Sequence, residues 1–153
     1  MKKKDNIRKI IYIFIGMGLM ITIIICWFKF QEREYVKLSK EFYGIYFDLA
    51  ENLIKVDSIE EALLLIKEDA SQESLAKLQL TLSVLEGNLP DWKYPFYIDM
   101  KNILDHLSYM NERAERPYGE VSISERGQIS VVLSVMESDI NDWKDNKYNR
   151  LFW

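Results

Sequence analysis

IIYIFIGMGLMITIIICWF, residues 10–28, runs for nineteen positions without a charged side chain and is bounded by Lys9 and Lys29. As an α-helix it rises about 28 Å at roughly 1.5 Å per residue, close to the ~30 Å hydrocarbon core of a bilayer, so it fits one crossing. Lipid offers no partner to a backbone amide, so the segment must close its own hydrogen bonds as a helix despite its many β-branched isoleucines. Trp27 and Phe28 beside Lys29 suit the outer interface of the bilayer, and Tyr12 near Arg8 and Lys9 suits the inner one, because amphipathic rings settle at headgroup depth.

Other readings of this stretch fit less well. A cleaved signal peptide has an apolar region of only about 7–15 residues ending in small side chains, and Ile23-Ile24-Ile25-Cys26-Trp27 supplies none. Lipidation at Cys26 would need a small residue where Ile25 stands. A buried core helix without a charge over this length is unusual in so small a domain. An uncleaved anchor is therefore expected. Lys2, Lys3, Lys4, Arg8 and Lys9 precede it, and Lys29, Arg33, Lys37 and Lys40 follow, so the positive-inside bias is modest. It favours residues 1–9 as a short cytoplasmic tail, residues 10–28 as the span and residues 29–153 as an extracytoplasmic domain.

At 153 residues the whole chain has room for one membrane span and one soluble domain but not for two independent cores. The first nine residues carry +4 while the whole chain carries −4, which leaves −8 for everything after them. Phosphate backbones and anionic headgroups bind through Lys and Arg, so nucleic acid is not an expected partner. Isoleucine far outnumbers alanine, 18 to 5, and lysine outnumbers arginine, 14 to 6, a bias suggesting an AT-rich, bacterial coding sequence. The single cysteine, Cys26, lies in the apolar run, so the domain has no internal disulfide and must rest on its apolar core.

The periodicity predicts an all-α domain. No proline interrupts residues 9–56, and Tyr35, Leu38, Phe42, Ile45, Leu49, Leu53 and Val56 recur at spacings of three and four, so the membrane helix is expected to continue into the domain. Ser58 with Glu61 reads as a capping box opening a second helix, with Ile59, Ala62, Leu63 and Ile66 on its inner face. Leu75, Leu78, Leu82, Leu85 and Leu89 point roughly 130° away from that face at about 100° per residue. One straight helix cannot bury both, which predicts a break near residues 69–71 with Ser71 as the next cap. Asn88-Leu89-Pro90 then ends that helix, and residues 91–95 read as a loop. Phe96, Met100, Ile103, Leu107, Met110 and Ala114 form the clearest stripe. Arg116-Pro117-Tyr118-Gly119 closes it, and a second capping box, Ser122 with Glu125, opens the helix of Ile129, Val132, Met136, Ile140 and Trp143. Short loops between such helices predict an antiparallel bundle of four or five.

Chemistry is not written in any motif. His106, the one histidine, has Ile103, Asn102, Tyr109 and Met110 at helical spacing, so no second metal ligand joins it. No serine sits in a nucleophile elbow, and the many paired carboxylates read as solvated helix faces. No cofactor or metal is expected, and no enzyme activity. Two aromatic groups are candidate interaction sites: Trp92, Tyr94, Phe96 and Tyr97 around a proline-bracketed loop, and Phe152 with Trp153 at the end of the sequence. The simpler role for both is capping the bundle core. Gly18 and Thr22 form a small-xxx-small pair suited to packing another membrane helix, including that of a second copy. The expectation is a non-enzymatic, membrane-anchored interaction or accessory module of the cell envelope, with the lipid bilayer and another membrane or envelope protein as partners. The competing expectation is a sensor holding a small apolar ligand in a cavity lined by Tyr43, Tyr46, Phe47 and methionines, signalling through a partner membrane protein. A hydrolase would require converging perturbed carboxylates in a cleft.

Overall fold

The computed structural model describes the backbone of residues 2–87 and 94–144 and the side chains of residues 11–87 and 97–142. Among the described residues there are five α-helices and no strand: α1 (Lys2–Ile54), α2 (Ile59–Ile66), α3 (Asp69–Glu86), α4 (Tyr94–Ala114) and α5 (Ile123–Lys144), with a turn of 3-10 helix at Tyr118–Glu120. The architecture is an all-α antiparallel bundle entered from a long apolar helix.

The chain forms two compact units, residues 1–36 and 37–153. The first is built on the N-terminal part of α1, which is long and apolar enough to cross a membrane. None of its most apolar window is buried within the protein. The Thr22 hydroxyl donates to the Gly18 carbonyl at 2.9 Å, a local bond that satisfies the hydroxyl within an apolar helix.

In the second unit α4 packs on α2 and α3, and α2 also touches α5. The α4 stripe is buried as its spacing requires: Met100, Ile103, Leu107, Met110 and Ala114 are all in the core. Ile129, Val132, Met136 and Ile140 of α5 join it, with Leu75, Leu78, Leu82 and Leu85 of α3. Both capping boxes form. Ser58 Oγ accepts from Glu61 N at 3.2 Å, although the Glu61 carboxylate takes the Asp57 amide, one residue before the cap, at 3.1 Å. Ser122 Oγ accepts from Glu125 N at 3.2 Å while Ser122 N donates to Glu125 Oε2 at 2.9 Å. These bonds satisfy amides that would otherwise be orphaned at the helix start.

Two boundaries differ from the pattern in the sequence. The α2–α3 break falls at Lys67 and Glu68, where Glu68 is extended at φ −63°, ψ 148°, and Ser71 is buried inside α3 and does not cap it. Gln72 does the joining, because its side-chain amide donates to the Ile66 carbonyl at the end of α2 and to Asn111 Oδ1 on α4, both at 2.7 Å. α4 opens at Tyr94 and takes Pro95 into its first turn, where a missing N–H costs nothing. The stop expected at Asn88-Leu89-Pro90 lies outside the described residues, and α3 ends at Glu86 with Gly87 as its C-cap.

α1 buries the face its spacing marked, Tyr35 included, and a neighbouring aromatic one as well. Leu38 and Ile45 are only half-buried, while Ser39, Tyr43, Tyr46, Phe47 and Ala50 are buried alongside Phe42, Leu49 and Leu53. The interior face is aromatic. Tyr43 and Phe47 stack with centroids 6.1 Å apart, Phe47 lies 5.1 Å from Tyr46, and Phe42 meets Tyr43 edge-on at 5.8 Å. Such pairs add roughly 0.5–1.5 kcal/mol beyond the area they bury.

Candidate functional site

Buried tyrosines need acceptors, and each of these finds one on a different helix. Tyr43 donates its hydroxyl to Asp99 Oδ2 of α4 at 2.7 Å, and Tyr46 donates to Asp139 Oδ2 of α5 at 2.7 Å. The two bonds tie α1 to both helices at side-chain length. Burial pushes the Asp139 carboxyl above its ordinary range, the Tyr46 hydroxyl works against this, and the negative charges of Asp99 and Asp142 add to the rise, with His106 opposing. The junction is acidic, and its polar atoms are engaged with one another.

α4 and α5 have little backbone-to-backbone contact, and a groove of about 510 Å³ lies between them. Its walls are Asp105, His106 and Tyr109 from α4 and Ser124, Gly127, Gln128, Val131 and Val132 from α5. Tyr109 bridges the gap by donating its hydroxyl to Gln128 Oε1. Beyond that bridge the helices are clamped by charge: Glu125 Oε1 meets Arg113 Nε at 2.8 Å and an Arg116 terminal nitrogen at 2.6 Å, and Arg113 lies 4.5 Å over the Tyr109 ring. The hydrogen bond from Arg116, reinforced by the Ser122 amide and hydroxyl, lowers the Glu125 carboxyl from 4.5 to about 2. Arg126 is likewise occupied, stacked 4.1 Å over Tyr118 and donating to the Val121 and Tyr118 carbonyls at 2.9 and 3.0 Å. A smaller hollow of about 310 Å³ lies by the α4–α5 connection, between Glu60, Leu63, Leu64 and Lys67 of α2 and residues 114–118.

Of the aromatic residues singled out around the loop and at the end of the sequence, Tyr97 alone has a described side chain. Tyr97 is buried in the bundle. Tyr94 and Phe96 lie in the first turn of α4, with their side chains outside the described set, as are Trp92, Phe152 and Trp153 altogether. Tyr12, Trp27 and Phe28 are all exposed, and the Trp27 and Phe28 rings meet edge-on at 5.5 Å. His106 is exposed and lines the groove. Among the described residues no group of histidine, cysteine and carboxylate side chains is arranged to hold a metal ion. The Asp139 carboxyl is spent on Tyr46 and does not line the groove.

Sequence spacing pointed to neither the groove nor the tyrosine junction. The available signal was the row of apolar residues Ile123, Val131 and Val135 on α5, which lies off the buried stripe of that helix and is exposed. No family model, no curated protein and no solved structure matches this chain.

Proposed function

We propose that this chain is a single-pass, membrane-anchored interaction module of the cell envelope, non-enzymatic, with residues 1–9 in the cytoplasm and residues 29–153 outside. The observation that carries the reading is an apolar helical stretch whose most apolar window has none of its residues buried within the protein. In water such a stretch would be an exposed apolar patch far larger than soluble proteins tolerate, and lipid is the medium that removes the cost. Tyr12 near one end and Trp27 and Phe28 at the other supply interfacial anchors. The modest excess of Lys and Arg before the span supports the orientation. Carbonate extraction of membranes, with protease protection on intact cells bearing a tag at each end, tests it. Retention in the pellet and loss of the C-terminal tag alone are expected. A carbonate-soluble chain would refute the anchor, and a protected C-terminal tag would refute the orientation.

A second reading has one specific support. Tyr43, Tyr46 and Phe47 fill space against each other, but the α4–α5 groove, at about 510 Å³, falls within the roughly 300–1,000 Å³ of small-molecule sites. A small apolar ligand held there would make the domain a sensor signalling through a partner membrane protein. Saturable binding of an environment-sensitive fluorescent fatty acid, abolished by Gly127→Phe, is its test. Unchanged binding to that variant would remove the reading.

A further inference from the structure

The groove continues into an exposed ridge on α5. Ile123, Gly127, Val131 and Val135 stand at successive i+4 positions, with Ile123 88 %, Val131 63 % and Val135 41 % exposed. Rows at this spacing are the ridges by which helices interdigitate, and from Ile123 to Val135 the row extends about 18 Å at ~1.5 Å per residue. That is too long for a compact small molecule and suits three or more turns of another helix. Gly127 leaves open space at its centre, since a methyl group placed there would meet nothing within 4 Å.

Among the residues lining the groove there is a carboxylate and no Lys or Arg. That carboxylate is Asp105, on α4. Asp139 and Asp142 follow Val135 along α5, and Asp139, which accepts from Tyr46, feels the charge of Asp99 on α4. At the other end the arginines are occupied: Arg113 and Arg116 by Glu125, and Arg126 by Tyr118 and two carbonyls. The domain as a whole carries −8 after the +4 of the first nine residues is removed from the total of −4.

We infer that the α4–α5 groove is the docking surface for an amphipathic basic helix of a partner protein, whose apolar residues at i and i+4 straddle the Val131 ridge and whose Lys or Arg residues face Asp105 and the aspartate end. This rests on the interaction-module reading and names the partner's chemistry. Apolar packing supplies the affinity, and the acidic rim selects the register and rejects acidic helices.

The test uses the full chain in zwitterionic nanodiscs and a fluorescein-labelled, 18-residue helical peptide with a leucine stripe flanked by lysines, read by fluorescence anisotropy against empty discs. A second peptide keeps the stripe and replaces every lysine with glutamate. The lysine peptide is expected to bind at least tenfold more tightly than the glutamate peptide. Val131→Asp, at an exposed position where the fold is kept, is expected to weaken it at least tenfold, and Asp105→Lys about threefold to tenfold. Equal affinity for the two peptides, or indifference to Val131→Asp at an unchanged melting temperature, overturns the inference. So does self-association of the chain that Val131→Asp abolishes, which would put a second copy on this face, or a fatty-acid probe that the lysine peptide cannot displace. Each of these can occur while the chain still resists carbonate extraction, so failure of the groove is distinguishable from failure of the anchored-module reading.

Discussion

Replacing Tyr46 with phenylalanine removes one hydroxyl from the interior and leaves the ring. The ring stays packed on Phe47, so the cost comes from the bond to Asp139. A hydrogen bond to a charged acceptor contributes about 1.5–3 kcal/mol. Asp139 is half-buried, so water recovers part of that, and the expected loss at pH 7 is about 1.5 kcal/mol, or roughly 5 °C in melting temperature for a domain of this size. The pH dependence has a definite sign. Burial and neighbouring aspartates raise the folded-state value of Asp139 above its ordinary range, so the folded chain holds the proton more tightly than the unfolded chain does. The stability from this group is fully present below the unfolded value of about 3.9 and is lost as pH rises through the raised folded value. Removing the hydroxyl raises that value further, so the penalty of Tyr46→Phe is expected to shrink as pH falls and the acceptor becomes neutral. Urea unfolding of the full chain in mild detergent micelles, followed by far-UV circular dichroism at pH 7 and pH 4, measures both effects. A double-mutant cycle with Asp139→Asn is expected to give about 1 kcal/mol of coupling at pH 7. A Tyr46→Phe penalty below about 0.3 kcal/mol, or one that grows on acidification, would refute the role given to this bond.

Glu125→Gln is expected to lower the melting temperature at pH 7, where Arg116 loses its carboxylate and Arg113 keeps only Glu112, and to converge with the wild type in acid. The Glu125 carboxyl titrates at about 2 against an ordinary 4.5, so its stabilisation is complete above 4.5 and disappears as pH falls toward 2. A gap between the two proteins that is independent of pH over that window would contradict this. Leu107→Ala, at a fully buried site on α4, is expected to cost about 2–5 kcal/mol in the same urea titration, whereas Leu80→Ala, at an exposed site on α3, is expected to stay within about 0.5 kcal/mol. Leu19→Arg, at the midpoint of residues 10–28, is expected to cost about 2.5–3.5 kcal/mol of insertion free energy, read as a reduced inserted fraction in a glycosylation-mapping assay. Unchanged insertion would count against hydrocarbon around that residue.

The sequence by itself determined whatever depends on neighbours along the chain. Nineteen consecutive uncharged residues mark an apolar helix long enough to cross a membrane at any tertiary arrangement, because a helix closes its own backbone hydrogen bonds. Ser58 with Glu61 and Ser122 with Glu125 marked two helix starts, since a cap reaches only three residues. The α4 stripe was legible for the same reason, as spacings of three and four place Met100, Ile103, Leu107, Met110 and Ala114 on one side whatever covers them. Tertiary structure decided what depends on distant partners. Tyr43 and Tyr46 become interior residues only because Asp99 and Asp139, 56 and 93 positions away, accept their hydroxyl protons, and an aliphatic count along α1 cannot register that. The α2–α3 joint moved ahead of Ser71 because Gln72 reaches both Ile66 and Asn111, a geometry set by where α4 passes. The groove arises likewise from the spacing of α4 and α5, held apart by Tyr109 on Gln128 and by the arginines on Glu125. Periodicity names the face a helix buries, but the distance to its neighbour is set by the side chains that meet between them.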